Sequence, residues 1–485
     1  MKQFLKPFLA LLLIFNVISS AWAELKLPAI ISSDMVLQRN TEVTLWGWSD
    51  QKKVTIKVSW LKDKVETKAD KEGKWEVKIS TTDSRASQSI IISDEKSQVA
   101  LENVLFGEVW LCSGQSNMEQ PVKGFNAQPT FGTLDALMKS ANPNLRLFTV
   151  KRASSKVLSD NLEENEPWQE ATPQSVSDFS AVAYFYGQQL QEFLGVPVGL
   201  IHTSWGGSSV QAWMSEEALS PHQEIDLTDV DMTKGTQRIP TVVFNAMVNP
   251  LIPYNIKGVI WYQGESNRSD PEGYKTLFPN MVADWRSRWA IGDFPIYFVQ
   301  VAPFTYRQDQ NVYQAPKNSA FIREAQLECV DLIPNSGIAI LMDIGDSTTI
   351  HPPRKKEVGE RLLYNALNKT YGFTSIDGDS PALDTLIVSD AKCILKFKYA
   401  ERGLYAYDQL VGFEIAGEDR VFYPATAKIL NRNEVHVSSD QVKDPIAVRY
   451  AWQNWIEGTL FDTNLLPASS FRSDKWDNAT RFSNQ

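Results

Sequence analysis

Four residues of the right kinds for acyl transfer stand just beyond short apolar runs. Ser116 follows "EVWLC" in "EVWLCSGQSNMEQP", and Gly207 follows "PVGLIH" in "HTSWGGSS". Gln263 follows "KGVIWY" in "QGESN", and His351 follows "GIAILMDI" in "DIGDSTTIHPP". Hydrolysing an ester takes a nucleophile, a base for its proton, and donors for the oxyanion. Ser116 suits the first role and His351 the second. The backbone N–H groups of Ser116 and Gly207, with the Gln263 amide, suit the third. Each residue has an ordinary alternative when taken singly. Serine after a strand is commonly a turn or N-cap residue, and a Gly-Gly pair is commonly a turn. Their shared position at strand ends favours the chemical role.

The chain has only four histidines: His202, His222, His351 and His436. His436 lies in a downstream strand, His222 in a loop before acidic residues, and His202 reads as packed at the end of a strand. His351 is left as the base. A base histidine is normally oriented by a carboxylate. Thr349 and Thr348 occupy the two positions where an aspartate would be expected, so the candidates are Asp346, Asp343 or a backbone carbonyl. An unperturbed imidazole would lose its activity around pH 6–7.

These loops need a sheet to carry them. From 106 to 375, five short apolar runs ("EVWLC", "PVGLIH", "KGVIWY", "FPIYFVQV", "GIAILMDI") alternate with amphipathic stretches. The pattern predicts buried parallel strands covered by helices, with ligands beyond the strands' carboxyl ends. One helix is expected in "SAVAYFYGQQLQEFLG", with Val182, Phe185, Tyr186, Leu190 and Phe193 on one face. Others are expected over 272–290, around 316–330, and in "RKKEVGERLLYNAL", with Val358, Leu362 and Ala366 in register. From 24 to 105, "EVTLWGW", "VTIKVSW", "WEVKI" and "SIIIS" alternate with period two. They predict an antiparallel β-sandwich with Trp46, Trp48 and Trp75 in or near its core. From 376 to 485, "CILKFKYA", "LVGFEIAG", "EVHVSS" and "IAVRYAW" predict a further β-rich region.

Residues 1–23 read as a cleavable secretory signal: Lys2 and Lys6, an apolar stretch, then "AWA". A secreted or periplasmic protein with no membrane span in its mature form follows. Removing Lys2 and Lys6 takes the net charge from −10 to −12, which argues against nucleic acid as a partner. Cys112, Cys329 and Cys393 are far apart and lack metal spacing; they read as buried apolar residues.

"WLCSGQSNM", "WGGSSVQAWM", "WYQGESN", "REAQ" at 323–326 and "DIGDSTTIHPPRKKEVGERL" together resemble the sialate O-acetylesterase family, within the SGNH-type carbohydrate esterases. The similarity extends to the flanking β regions. The resemblance implies a three-layer α/β/α fold with a parallel sheet and removal of acetyl groups from sugar hydroxyls without a metal or other cofactor. Acetylated sialic acid would be the substrate, with xylan or another acetylated polysaccharide as the alternative. It also implies Ser116 as nucleophile, His351 as base, and Gly207 and Gln263 at oxyanion positions. Gln115, Asn117, Glu265 and Arg323 match positions that bind or brace. The chain departs from the family in carrying Thr349 where an acid often stands. The sequence leaves the oligomeric state open.

Overall fold

The computed structural model describes residues 25–482, apart from 163–164, 228–230, 234, 308 and 310–311. The expected signal segment lies outside the described residues.

The central sheet contains the five expected strands: β1 (Gln98–Gly114), β3 (Val198–Ser204), β4 (Gly258–Tyr262), β5 (Ile296–Val299) and β6 (Ser336–Ala339). A sixth, β2 (Asn142–Thr149), pairs in parallel with β3. Its sequence "NPNLRLFT" opens on polar residues, so its apolar run is too short to stand out. The order is β6-β5-β4-β1-β3-β2, all parallel, with Gln169–Ala171 antiparallel at the β2 edge.

The register aligns the functional loops. Gly114 at the end of β1 lies across from Ser204 of β3 on one side and Tyr262 of β4 on the other. The chain therefore leaves three adjacent strands at one level, just before Ser116, Gly206 and Gln263. Gly114 has φ +141°, and a Cβ there would lie 2.1 Å from the Tyr262 carbonyl oxygen. No other residue type fits that turn without displacing β4.

Because side chains alternate along a strand, the sheet buries two different faces. Trp110, Cys112, Ile260, Tyr262, Tyr297 and Val299 pack with α2 (Ala181–Leu194) and α5 (Lys355–Asn365). These helices follow α1 (Ser116–Glu119), the single turn that carries the serine. Val109, Leu111, Val259, Trp261 and Phe298 pack in the core that holds α3 (Pro271–Trp289) and α4 (Ala320–Leu332). Each fully buried Leu, Val or Phe stabilises the fold by roughly 1.5–3 kcal/mol. Helix α2 begins at Ser180, whose Oγ accepts the Ala183 N–H at 3.2 Å, and ends at Gly195. Val182, Phe185, Tyr186 and Leu190 are buried as expected. Phe193 is 48% exposed and meets Phe373 edge to face at 4.9 Å. It lies in the last turn, past the edge of the core. Val358, Leu362 and Ala366 are buried together.

Strands Glu42–Trp48 and Lys74–Ser80 pair with each other; Lys53–Val58 pairs with Val65–Lys68 and Gln88–Ser93. Trp46 and Trp75 are buried between these groups, while Trp48 is half-buried. Gln88–Ser93 pairs with the first part of β1. One strand thus runs from the N-terminal β layer into the central sheet. Beyond α5 the chain forms a four-stranded and a five-stranded sheet. The three cysteines are free and buried. Among the described residues no helix is long and apolar enough to cross a membrane, and no cluster of His, Cys, Asp or Glu could hold a metal ion.

Candidate active site

Ser116 and His351 meet. The His351 Nε2 lies 2.8 Å from Ser116 Oγ. Ser116 opens α1, whose first N–H groups have no carbonyl to bond within the helix. The turn is pinned by Ser180, which donates to the Met118 carbonyl at 2.6 Å. Gln115 N–H reaches the Tyr262 carbonyl, tying the serine loop to β4.

Neither expected aspartate reaches the imidazole. The Nδ1 of His351 instead faces Gln128 Oε1 at 2.5 Å. Asp346 spends Oδ1 on its own turn, accepting from Thr348 N and Oγ1 at 2.7 Å and from Thr349 N at 3.1 Å. Asp343 is held by both terminal nitrogens of Arg361, at 2.7 and 2.6 Å. A backbone carbonyl does not hold the ring either. Gln128 is itself fixed: its carbonyl accepts from the buried Gln120 amide at 3.3 Å, and Thr349 Oγ1 donates to its Oε1 at 3.4 Å. An amide oxygen can only accept. The network therefore assigns the proton to Nδ1, leaving the Nε2 lone pair towards Ser116.

Burial pulls the His351 pKa down to about 4, aided by the positive charge of Lys355. A neutral amide offers no charge to reverse this, as a carboxylate would. A base histidine works as the neutral imidazole, and the pKa of this one is depressed. Activity should therefore hold as pH falls through 6.5 and be lost only near pH 4. The acid limb of kcat/KM measures this directly. A limb at pH 6–7, as expected for an unperturbed histidine, would contradict it.

The Gly206-Gly207 turn leans on the serine. A Cβ on Gly206 would lie 3.3 Å from Ser116 Cβ and 2.8 Å from Glu119 Oε2. Gly206 N–H donates to that carboxylate at 2.6 Å, and Arg152 pairs with its other oxygen. Gly207 has φ +75°. Among the described residues, the N–H groups of Ser116 and Gly207 have no hydrogen-bond partner.

Gln263 is not a free donor. Its amide hydrogens go to the Ser208 carbonyl at 3.1 Å and Asn267 Oδ1 at 2.8 Å. Asn267 also accepts from Val210 N–H and donates to Gln211, so the amide orientation follows from its partners. Gln263 braces the loops after β3 and β4.

The flanking residues also brace. Gln115 Oε1 faces the N–H groups of Gly264 and Ser266 at 3.3 and 3.4 Å. Asn117 Nδ2 donates to Glu265 Oε1 at 2.6 Å and to the Ile350 carbonyl at 3.1 Å. Its Oδ1 accepts from Lys355 Nζ at 2.5 Å. Arg323 is fully buried and bonds Ser319, Ser470 and the carbonyls of Ala451 and Gln453. It clamps the C-terminal region to α4. His202 is spent on Ser204 Oγ at 2.6 Å, packs beside Phe179, and is kept neutral by burial.

Gln128 and Lys355 were not anticipated. Gln128 carries no signal, being one glutamine in a loop 223 positions from its histidine. Lys355 does carry one. It lies three, four and seven positions before Val358, Gly359 and Leu362, on the buried face of α5.

A family model described as "carbohydrate esterase, sialic acid-specific acetylesterase" matches residues 106–368, more than half of the chain. Human sialate O-acetylesterase is 28% identical over 389 residues, covering 73% of this chain and 72% of the human protein. The mouse sialate O-acetylesterase is 28% identical over 414 residues, covering 73% and 74%. A crystal structure of a carbohydrate acetylesterase from Xanthomonas citri superposes with a TM-score of 0.85 at 32% identity, covering 93% of this chain and all of that one. The chain belongs to the sialic acid-specific acetylesterase family of carbohydrate esterases, and it is an esterase.

Proposed function

We propose that this carbohydrate esterase removes O-acetyl groups from sugars, with acetylated sialic acid as the leading substrate, through an acetyl-enzyme on Ser116. The observation that carries the mechanism is the 2.8 Å contact from Ser116 Oγ to an imidazole whose Nδ1 is tied to Gln128. His351 Nε2 takes the serine proton as Oγ attacks the acetyl carbonyl. The N–H groups of Ser116 and Gly207 receive the oxyanion. Collapse breaks the bond to the sugar oxygen, which leaves with the proton from His351. Water then attacks the acetyl-serine with His351 again as base, releasing acetate and restoring the hydroxyl. No step calls for a metal.

The helices packed on the two faces of the sheet support a three-layer SGNH-type domain over 106–375. The β regions at 24–105 and 376–485 are taken as its flanking modules. The lysine-led apolar start of the chain supports secretion.

The test is acetate release from p-nitrophenyl acetate, O-acetylated sialic acid, acetylated xylo-oligosaccharides and long-chain p-nitrophenyl esters. Short acetyl esters should be cleaved, with acetylated sialic acid preferred. A preference for xylo-oligosaccharides would move the substrate to plant polysaccharide. A rate that rises with acyl length would identify a lipase instead.

A further inference from the structure

Asn117, Glu265 and Lys355 come from three places that must stay in register: the serine turn after β1, the loop after β4, and the start of α5 just past His351. The Asn117 side chain stands between the two charges. It accepts from Lys355 Nζ at 2.5 Å and donates to Glu265 Oε1 at 2.6 Å. It also donates to the carbonyl of Ile350, the residue before His351, at 3.1 Å. Lys355 is fully buried, with its Nζ 5.7 Å from the centre of the Tyr262 ring. Glu265 Oε2 is buried without a partner among the described residues. A lysine and a glutamate shut from water cost folding energy unless each answers the other. Hydrophobic residues would fill the same space at lower cost, so the charges call for a functional explanation.

We propose that Lys355, Asn117 and Glu265 form one buried strut that fixes the serine loop against the histidine loop and carries the positive charge of the Lys355 ammonium. Lys355 and Glu265 are thus positioning residues. The proposal rests on the Ser116–His351 mechanism above.

The groups around the imidazole are few. Ser116 lies on Nε2, Gln128 on Nδ1, and the Phe125 ring packs edge-on at 5.4 Å. Thr349 meets the backbone N–H of His351. All are uncharged. Among the described residues, Lys355 is the charge that lowers the imidazole pKa, after burial itself. Around the strut, the charge of Glu265 acts on the buried hydroxyls of Tyr262 and Tyr306 and, with burial, raises their pKa. Burial draws Lys355 down to about 7 while Glu265 holds it up. The lysine is therefore protonated throughout the range where His351 titrates. Deleting its charge should let the imidazole protonate at higher pH.

The experiment is the pH dependence of kcat and kcat/KM on p-nitrophenyl acetate for wild type, K355M, K355R and E265Q, with folding checked by circular dichroism. In K355M the acid limb should move up by about 0.5–1 pH unit. In K355R, which keeps the charge, it should stay in place. A folded K355M whose limb coincides with that of wild type overturns the proposal. E265Q removes the charge that answers Lys355 and so loosens the strut, and it covers the case where K355M does not fold. Its kcat should fall about tenfold or more, with KM little changed and no upward shift of the limb. A wild-type kcat in E265Q also overturns the proposal. The underlying mechanism fails separately, if S116A remains active.

Discussion

Ser116→Ala and His351→Ala should each lower kcat by about 10⁴–10⁶-fold, with the double variant little worse than either single one. The two groups share one proton. Without Oγ no acetyl-enzyme forms, and without Nε2 the hydroxyl stays protonated and nearly inert. Residual turnover would come from the unoccupied N–H groups of Ser116 and Gly207 alone. Folding should be unaffected. Ser116 begins a turn held by Ser180 and Gln115, and neither contact uses its hydroxyl. His351 is half-buried, and among the described residues its side chain bonds only Gln128 and Ser116. Initial rates on p-nitrophenyl acetate, with circular dichroism as the folding control, check this. Rates within tenfold of wild type would remove these residues from the mechanism.

Gln128→Ala should lower kcat by about 10²–10⁴-fold. The Gln128 oxygen selects the tautomer. Without it, Nδ1 loses its partner and the ring can turn or carry its proton on Nε2, facing the serine unproductively. Gln128→Glu should do something different. A carboxylate beside Nδ1 keeps the tautomer and stabilises the imidazolium, raising a neighbouring histidine by about 1–3 pH units. Activity should survive, while the acid limb moves from about 4 towards neutrality. The pair of profiles separates a role for Gln128 in orientation from one in packing. A Q128A enzyme with wild-type kcat would mean that something else holds the ring.

The sheet was legible because buried parallel strands leave runs such as "GVIWY" and "VGLIHTS" that few other structures produce. The meeting of the serine and the histidine was legible because such sheets present side chains together at strand ends, and these residues fall there. The orienting group was not legible. A carboxylate was expected near His351 in sequence, yet Asp346 folds onto its own Thr348 and Asp343 onto Arg361. Local turn geometry used both acids before the imidazole could. Gln128 arrives through tertiary packing, which no spacing rule encodes. Gln263 had the right type and the right strand end, but two acceptors had already claimed its amide. Residue type and position locate a site; partner counting decides roles within it. Phe193 failed for a related reason, since periodicity sets a side chain's direction but not how far the neighbouring core extends.

The most direct test of the Ser116–His351 mechanism is covalent labelling with diethyl p-nitrophenyl phosphate, read by intact mass and peptide mapping. One diethylphosphoryl group should attach to the peptide that contains Ser116, with loss of esterase activity in proportion to labelling and no labelling of S116A. A label on another residue that abolishes activity, or an enzyme fully active once Ser116 is labelled, would contradict the mechanism.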